Sequence, residues 1–484
     1  MITTLAFRHL QVRRVRSLFL LLGFSIGVGV MVVLLSVGEA MLDQSRDVSL
    51  VGGGEVTVLP QGIDVEAMRT GGLGGMFFTL ERARFLTRQA LGGRRLGRVV
   101  KTVAPGLEGK LLYLCPASGE CRPAAVRAGG EIPSRAAALG AGLDRLEGRW
   151  SDLPADSAYI TPTAQQLYDE LDRFHLPRTA DSTWGEWYYF NLVTGPEEWW
   201  YLTFLVGGEV SLTDRSNRWG GRMLMTHRRP DGRYDRYTAD VPAGRVEFDT
   251  AGAALRLGES SVRQRDGEYR LRAVAVHRGR QASLDLTVRP EPNRYFPPVE
   301  LRDDDFLSGY VVPALAASAT GRICSGGRCS VVTAVPAYHD HNWGVWRDVT
   351  WEWGAARGER LSLLYGGVYG PERATTSPFF LTLVDSLGVW RVLRFSDIRY
   401  QGSRPAQGLP GARAPQRFTL TATWEADTVT VSVGVAHALA SEMEAGSFRR
   451  LFLQMRGEFR LRGRVLGEEV ADSGWGFFET YVAR

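Results

Sequence analysis

The chain has 484 residues, of which 44% are hydrophobic and 23% are charged. This composition is typical of globular protein and argues against extensive disorder, and the length predicts two or three domains. The net charge is +5, but the only lysines are Lys101 and Lys110, and the arginines are scattered among acidic residues. A dispersed arginine surplus is not the basic stripe that nucleic acid requires, so we expect no nucleic-acid partner.

Residues 17–37 form an unbroken apolar run that is long enough to cross a bilayer. Arginines between Arg8 and Arg16 precede it, and acidic residues follow it. The positive-inside rule predicts a cytoplasmic basic tail (1–16), a transmembrane helix (17–37) and an extracytoplasmic bulk. A cleavable signal peptide is the alternative, but its apolar core is shorter and no Ala-x-Ala site follows. We therefore expect a single-pass protein of the inner membrane whose bulk lies in the periplasm.

The N-terminal sequence contains four informative segments: Leu5-Ala-Phe-Arg-His-Leu10, Arg13-Arg14, Arg16-Ser-Leu-Phe-Leu-Leu-Leu-Gly-Phe-Ser-Ile-Gly27 and Gly53-Gly-Glu-Val-Thr-Val-Leu-Pro60. Together they resemble the opening of MacB/FtsX-type ABC-transporter permeases. Such permeases have three further spans, and no second apolar run of that length is present here. The resemblance therefore implies an anchor that docks beside an ABC-transporter permease and its ATPase, followed by a permease-like extracytoplasmic segment (38–135).

The four cysteines fall in two close pairs, Cys115 with Cys121 and Cys324 with Cys329. Both pairs lie in turn-like sequence, and an even count suits an oxidising compartment. A zinc site is the alternative, but neither pair has the two-residue spacer of a zinc knuckle. We predict the disulfides Cys115–Cys121 and Cys324–Cys329.

Residues 136–178 are rich in helix formers and are interpreted as a connector. From residue 179 onward, short runs of Val, Tyr, Trp, Phe and Thr are separated by Gly, Asp, Pro and Arg turns. This pattern predicts a mainly β fold of two tandem barrels or sandwiches behind the N-terminal helix and a small α/β segment. Prolines between 290 and 298 interrupt the pattern, which places the domains at 179–300 and 301–484.

The most informative motif is Ala337-Tyr-His-Asp-His-Asn-Trp-Gly344. On a strand, His339, His341 and Trp343 would share one face, with Tyr338, Asp340 and Asn342 on the other. The motif indicates either a reactive or ligand-contacting wall or a buried polar network that ties strands together. Trp184-Gly-Glu-Trp-Tyr-Tyr-Phe190 and Trp351-Glu-Trp353 indicate either an aromatic core or an aromatic-lined cavity for a long apolar ligand.

Six motifs follow one another in a characteristic order over residues 180–484. They are Glu186-Trp-Tyr-Tyr-Phe190, Met223-Leu-Met-Thr-His227, Leu284-Asp-Leu-Thr-Val-Arg-Pro290, Asp340-His-Asn-Trp-Gly344, Trp351-Glu-Trp353 and Gly474-Trp-Gly-Phe-Phe-Glu479. This order resembles the lipocalin-like AttH/CrtC family, which includes carotenoid hydratases. The resemblance implies two lipocalin-like β domains with an apolar cavity. Some members of the family hydrate a terpenoid double bond, and others are encoded beside ABC transporters.

Cofactor-free hydration needs a protonated acid and a site that stabilises a carbocation. Asp340 or Glu352 is the candidate acid, and His341 would position water or carry the proton. The resemblance places the family's motif on Asp340, His341 and Trp343. It also implies a further acidic group downstream, but the matching segment of this chain, residues 363–370, contains no carboxylate. No cofactor or metal is predicted. The predicted ligand-binding residues are the aromatic ones of these motifs: Tyr338, Trp343, Trp351, Trp353, Trp187, Tyr189 and Tyr365.

These observations predict a membrane-anchored, extracytoplasmic lipocalin-like protein that binds or hands over a hydrophobic, lipid- or terpenoid-like molecule with an ABC exporter. The alternatives are a cofactor-free hydratase or isomerase of a terpenoid double bond, and a structural accessory subunit of an ABC transporter.

Overall fold

The structure is a computed structural model. It describes residues 14–46, 56, 58, 80–92, 96–114, 124–139, 151–156, 164–175, 181–209, 219–303, 306–369, 379–445 and 448–482. Contacts divide the chain into two units, Met1–Thr79 with Thr102–Asp156, and Leu80–Lys101 with Ser157–Arg484. The helices are α1 (Arg14–Arg46), α2 (Leu80–Gly92), α3 (Pro133–Ala138) and α4 (Ala164–Leu171).

In the first unit, α1 covers the predicted apolar run, and strand β1 (Gly106–Leu114) pairs antiparallel with β2 (Ala124–Glu131). Helix α3 is joined to a nearby turn, since Asp152 accepts hydrogen bonds from the backbone and hydroxyl of Ser134. Among the described residues, no helix meets the length and hydropathy of a membrane span. The anchor and the location therefore remain predictions from the sequence.

The second unit contains two closed antiparallel barrels. In the first, eight of the described strands follow one another around the barrel, and the last pairs with the first. They are β3 (Trp184–Gly195), β4 (Glu198–Gly208), β5 (Trp219–Arg228), β6 (Tyr234–Pro242), β10 (Glu268–His277), β11 (Arg280–Pro290), β13 (Phe306–Ser325) and β14 (Arg328–Val345).

Additional strands extend the sheet of the first barrel at two places. A 3-10 turn (Ala243–Arg245) leads into a short meander that continues from β10, and β12 lies along β13. These strands are β7 (Val246–Asp249), β8 (Ala254–Leu257), β9 (Ser260–Arg265) and β12 (Phe296–Asp303).

The second barrel has the same connectivity. Its eight strands are β15 (Thr350–Gly358), β16 (Ser362–Tyr369), β17 (Phe379–Asp385), β18 (Gly388–Phe395), β22 (Arg417–Trp424), β23 (Asp427–Ala445), β24 (Phe448–Val465) and β25 (Glu468–Val482). The connection from β18 to β22 carries the short strands β19 (Ile398–Gln401), β20 (Arg404–Pro405) and β21 (Arg413–Ala414). The predicted fold class, two tandem lipocalin-like barrels, is confirmed.

The chain passes from one barrel to the other between Val345 and Thr350. The predicted boundary at residues 300 and 301 therefore falls within the first sheet. Of the prolines that suggested a linker, Pro290 ends β11, Pro292 lies in the turn that follows, and Pro297 and Pro298 lie within β12, an edge strand. There the missing amide of proline breaks no ladder hydrogen bond.

Alternating side chains explain how these sequences form barrels. In β11, the inward residues Ala282, Leu284, Leu286 and Val288 are buried, and the residues between them are more exposed. The tight β9–β10 hairpin turns at Asp266-Gly267, where both residues have positive φ, as the type I′ turn requires. Large aromatic side chains fill both interiors, among them Phe190, Trp200 and Phe204 in the first barrel and Tyr365, Phe379 and Phe418 in the second.

The Cys324–Cys329 disulfide is confirmed and closes the β13–β14 hairpin. The pair Cys115 and Cys121 lies outside the described residues.

Candidate functional site

The inner wall of the first barrel carries a polar cluster where β14 pairs with β3. This cluster, called the inner cluster, consists of Asp172, His175, Glu186, His339 and His341. His339 lies opposite Phe190, His341 opposite Tyr188, and Trp343 opposite Glu186. Residues that face each other in an antiparallel pair project from the same face, so both histidines and Glu186 point into the barrel. His339, His341 and Glu186 are all fully buried.

The connector completes this cluster, although it precedes the barrel strands in the sequence. After α4 ends at Leu171, Phe174 packs in the barrel's apolar core. The backbone N–H of His175 donates to Glu186 Oε1 at 2.6 Å. The carboxylate of Asp172 is fully buried.

Asp172 is the centre of the hydrogen-bond network. Its Oδ2 faces His339 Nε2 at 3.0 Å and accepts from the Tyr269 hydroxyl at 2.8 Å. Its Oδ1 faces His341 Nδ1 at 2.9 Å. The Tyr188 hydroxyl donates to the backbone carbonyl of Asp172 at 2.8 Å. The sequence pattern left open a ligand-contacting wall or a buried network, and the inward face of β14 forms the network.

The two histidines of the cluster lie against oxygen acceptors. His339 Nδ1 faces the Tyr189 carbonyl oxygen at 2.9 Å while Nε2 faces Asp172. A carbonyl and a carboxylate both accept hydrogen bonds, so both ring nitrogens of His339 have an acceptor oxygen beside them. Burial alone would lower the pKa of His341, but its hydrogen bonds to Asp172 and Glu186 raise that pKa to about 9. Burial opposes ionisation of Asp172, yet the two histidines bring its pKa down to about 2. Asp172 and His341 therefore form a buried ion pair inside the barrel.

One corner of the cluster has unsatisfied polar atoms. His341 Nε2 lies 2.8 Å from Glu186 Oε1, and His175 Nδ1 lies 3.4 Å from the same oxygen. His175 Nδ1 and Glu186 Oε2 are buried without a hydrogen-bond partner. The His175 ring stacks on Trp343, with centroids 3.7 Å apart, and burial lowers the pKa of His175.

The opposite face of β14 forms a second polar group, directed at the other barrel. Asp340 accepts from the Tyr338 hydroxyl and from Asn342 Nδ2, both at 2.7 Å. Trp353 Nε1 of β15 donates to the Tyr338 oxygen at 3.0 Å. Burial raises the pKa of Asp340 to about 8, although both hydrogen bonds act to lower it. Asp340 is therefore a buried acid between the barrels.

Glu352, the other predicted acid, lies in the second barrel. It accepts from the Tyr400 hydroxyl at 2.6 Å and from the Thr480 hydroxyl at 2.8 Å. Burial raises the pKa of Glu352 to about 7, against the lowering effect of those two bonds. Tyr365 lies in the apolar core of the same barrel, and its hydroxyl is unsatisfied.

A cleft with a volume of about 540 Å³ lies between the barrels. Side chains such as Val193 and Leu315 form its apolar wall, and the Tyr338 side chain is part of the lining. Its charged lining residues are Arg357, Glu359, Arg456 and Glu458. The guanidinium of Arg456 lies over the rings of Trp199, Trp475 and Phe477.

The structure distributes the predicted site residues over four places. His341 and Trp343 lie inside the first barrel, and Glu352 and Tyr365 lie inside the second. Tyr338, Asp340, Trp353 and Tyr189 meet between the barrels, where the Tyr189 and Tyr338 rings are 6.4 Å apart. Trp187 and Trp351 form a separate aromatic contact, with centroids 6.1 Å apart. Of all these residues, only Tyr338 lines the cleft.

The sequence interpretation missed the acidic residues and His175 of the inner cluster. Glu186 is in phase with Tyr188 and Phe190, so strand alternation places it on the same face as the aromatic core. That signal was available in Glu186-Trp-Tyr-Tyr-Phe190. Asp172 and His175 gave no comparable signal, because they precede the barrel and reach it only through the tertiary fold.

Comparisons with known proteins concern the fold. No family model matches the chain, and no curated protein matches it. Similar solved structures include an AttH candidate from Nitrosomonas europaea (15% identity, TM-score 0.43, 64% of this chain and 98% of that one). Others are CghA (11%, 0.43, 64% and 94%) and kievitone hydratase from Nectria haematococca (13%, 0.40, 66% and 95%). At such identities and TM-scores, these neighbours assign no family, ligand or reaction to this chain. The permease resemblance of the N-terminal segment gains no support.

Proposed function

We propose that the chain binds a hydrophobic or amphiphilic molecule in the cleft between its two barrels. The observation that carries this proposal is the cleft itself, about 540 Å³ in volume and lined by apolar side chains with a few charged groups. Small-molecule sites commonly have this size and composition and occur at domain interfaces. Both barrel interiors are filled by aromatic side chains, so a ligand inside either barrel would have to displace its core.

The chemistry of the lining indicates an elongated apolar molecule with a polar end. Leu315, Phe477 and the alanines Ala316 and Ala355 offer dispersion contacts but no hydrogen bonds. Arg456 offers positive charge at the side of the cleft. A lipid- or terpenoid-like molecule with an acidic or hydroxyl end fits both features. Delivery of such a molecule to an ABC exporter by a membrane-anchored, extracytoplasmic protein is part of the proposal, and it rests on residues 1–110 of the sequence alone.

The proposal is tested by native mass spectrometry with lipid extraction on the full chain, purified from its host in detergent. We expect an apolar molecule to co-purify. Val193→Trp, which fills the cleft from a half-buried position, should remove it. Val392→Trp is the matched control, because Val392 is 43% exposed on β18 and does not line the cleft. An empty wild-type chain that takes up nothing from a lipid and terpenoid panel would contradict the proposal, as would equal loading of both variants.

The second candidate function is cofactor-free hydration of an isolated double bond. It is favoured by the buried acid Asp340, whose partner Tyr338 lines the cleft. Asp340 does not line the cleft itself, so its proton would pass through the Tyr338 hydroxyl to one alkene carbon. Water would then add to the cation at the other carbon and return a proton. Tyr338→Phe should abolish turnover of the co-purified molecule while its binding persists, and undiminished turnover in that variant would exclude this route.

A further inference from the structure

The unsatisfied corner of the inner cluster has the composition of a metal site. His175 Nδ1, a Glu186 carboxylate oxygen and His341 Nε2 all lie within 4.8 Å of one another. We propose that these three residues bind one divalent transition-metal ion inside the mouth of the first barrel, with Zn²⁺ as the preferred ion. The three come from separate segments, the connector, β3 and β14, so only the folded barrel brings them together.

An independent observation points to a missing partner at this corner. The carboxylate of Glu186 is fully buried, yet its Oε2 has no hydrogen-bond partner, and neither has the buried Nδ1 of His175. Buried polar atoms are rarely left unpaired, because each costs the free energy of its lost hydration. A cation between the three side chains would satisfy both atoms.

The surrounding residues orient the ligand atoms as metal sites require. Asp172 Oδ1 lies 2.9 Å from His341 Nδ1, so a hydrogen on Nδ1 directs the Nε2 lone pair toward Glu186 and His175. The stack on Trp343 holds the His175 ring, and the backbone N–H of His175 fixes Glu186 Oε1. On metal binding, the hydrogen shared by His341 Nε2 and Glu186 Oε1 leaves as a proton, since a metal-bound imidazole is neutral.

The donor set indicates the class of metal and its coordination. Two imidazoles and one carboxylate bind Zn²⁺ in sites that keep a fourth, open position. The side chain of His175 is 16% exposed, whereas those of Glu186 and His341 are buried, so entry of the ion is expected from the His175 side. Magnesium and calcium prefer oxygen donors and should not compete.

The direct test measures Zn²⁺ and Co²⁺ binding by the full chain, expressed without a histidine tag and stripped with chelator. We expect one Zn²⁺ per chain after dialysis, and Co²⁺ should develop the strong visible absorption of four-coordinate sites. His175→Ala should abolish stoichiometric binding. Asp172→Asn, which removes the carboxylate that orients His341 but keeps all three ligands, should weaken it on the order of 10–100-fold.

His227→Gln is the matched control. His227 is also buried, stacks on a tryptophan (Trp200) and lies 2.8 Å from a glutamate (Glu198), but it is not part of the cluster. Its loss should leave Zn²⁺ binding unchanged. A wild-type chain that binds no Zn²⁺, or binding that survives His175→Ala, would overturn the proposal.

X-ray absorption at the zinc edge of the wild-type protein keeps the test valid if a variant fails to fold. Two imidazoles and oxygen ligands are expected. A shell containing sulfur, or one without imidazole, would place the ion elsewhere and refute the site.

Discussion

Asp172→Asn tests whether the buried ion network stabilises the first barrel. The carboxylate accepts from His339 and Tyr269 through Oδ2 and faces His341 through Oδ1. An amide keeps one acceptor oxygen, which best replaces Oδ2 because two donors meet there. Its NH₂ group then faces His341 Nδ1, so one charge-assisted hydrogen bond is lost, worth about 1.5–3 kcal/mol.

The larger effect is electrostatic. His341 loses the counter-charge of Asp172 inside the barrel, and breaking a buried ion pair on one side typically costs about 3–5 kcal/mol. We therefore expect the free energy of unfolding to fall by about 3–5 kcal/mol. Urea unfolding of the metal-free full chain, followed by tryptophan fluorescence, should show a lower midpoint at an unchanged slope.

A control lies one helical turn earlier. Asp169 is partly exposed and accepts one hydrogen bond from Gln165, so Asp169→Asn should cost less than about 1 kcal/mol. If Asp172→Asn is as mild as this control, the buried ion pair of Asp172 with His341 does not stabilise the barrel, and the reasoning is refuted.

Two further predictions concern the second barrel. Because burial raises the pKa of Glu352 to about 7, the folded state binds a proton that the unfolded state has lost, and stability falls as pH rises from about 4.5 to 7. In Glu352→Gln, the unfolding free energy should lose about 3 kcal/mol less than in wild type over this pH range. The same pH dependence in wild type and variant would refute the raised pKa of Glu352. Gly367→Ala would place a methyl group 1.4 Å from a Phe379 ring carbon, so overpacking should cost about 1–3 kcal/mol or more. Gly434→Ala on β23 is the control, because its added methyl group meets open space. Equal urea midpoints for the two variants would contradict the packing around Gly367.

Strand alternation explains why much of the fold was predictable. The separation of His339, His341 and Trp343 from Tyr338, Asp340 and Asn342 follows from the period of two, and the structure places the sets on opposite faces of β14. Alternation does not say which face looks into a barrel and which looks at a neighbouring domain. That choice decides whether a residue belongs to a core network or borders a cleft.

The acidic residues show the limit of local patterns. Glu352 lies between two tryptophans that face the other barrel, so its position inside the second barrel follows from the same alternation. Asp340 and Glu352 were paired as alternative acids for one cavity, but they lie in different places because β14 and β15 belong to different barrels. The connection between the barrels is short, so the two residues are close in sequence although they lie in different places.

The connector has a consequence for how the protein is made. Asp172 and His339 are 167 residues apart in sequence, yet they meet in the first barrel. Asp172 leaves the ribosome long before its partners, and it stays without its two histidine partners until β14 has been synthesised. Closure of such a distant contact makes barrel formation slow relative to that of its hairpins. A chain shortened to begin at β3 would keep every strand of the barrel and still lack the anion at its centre, so the smallest segment able to fold as the native barrel begins before residue 172.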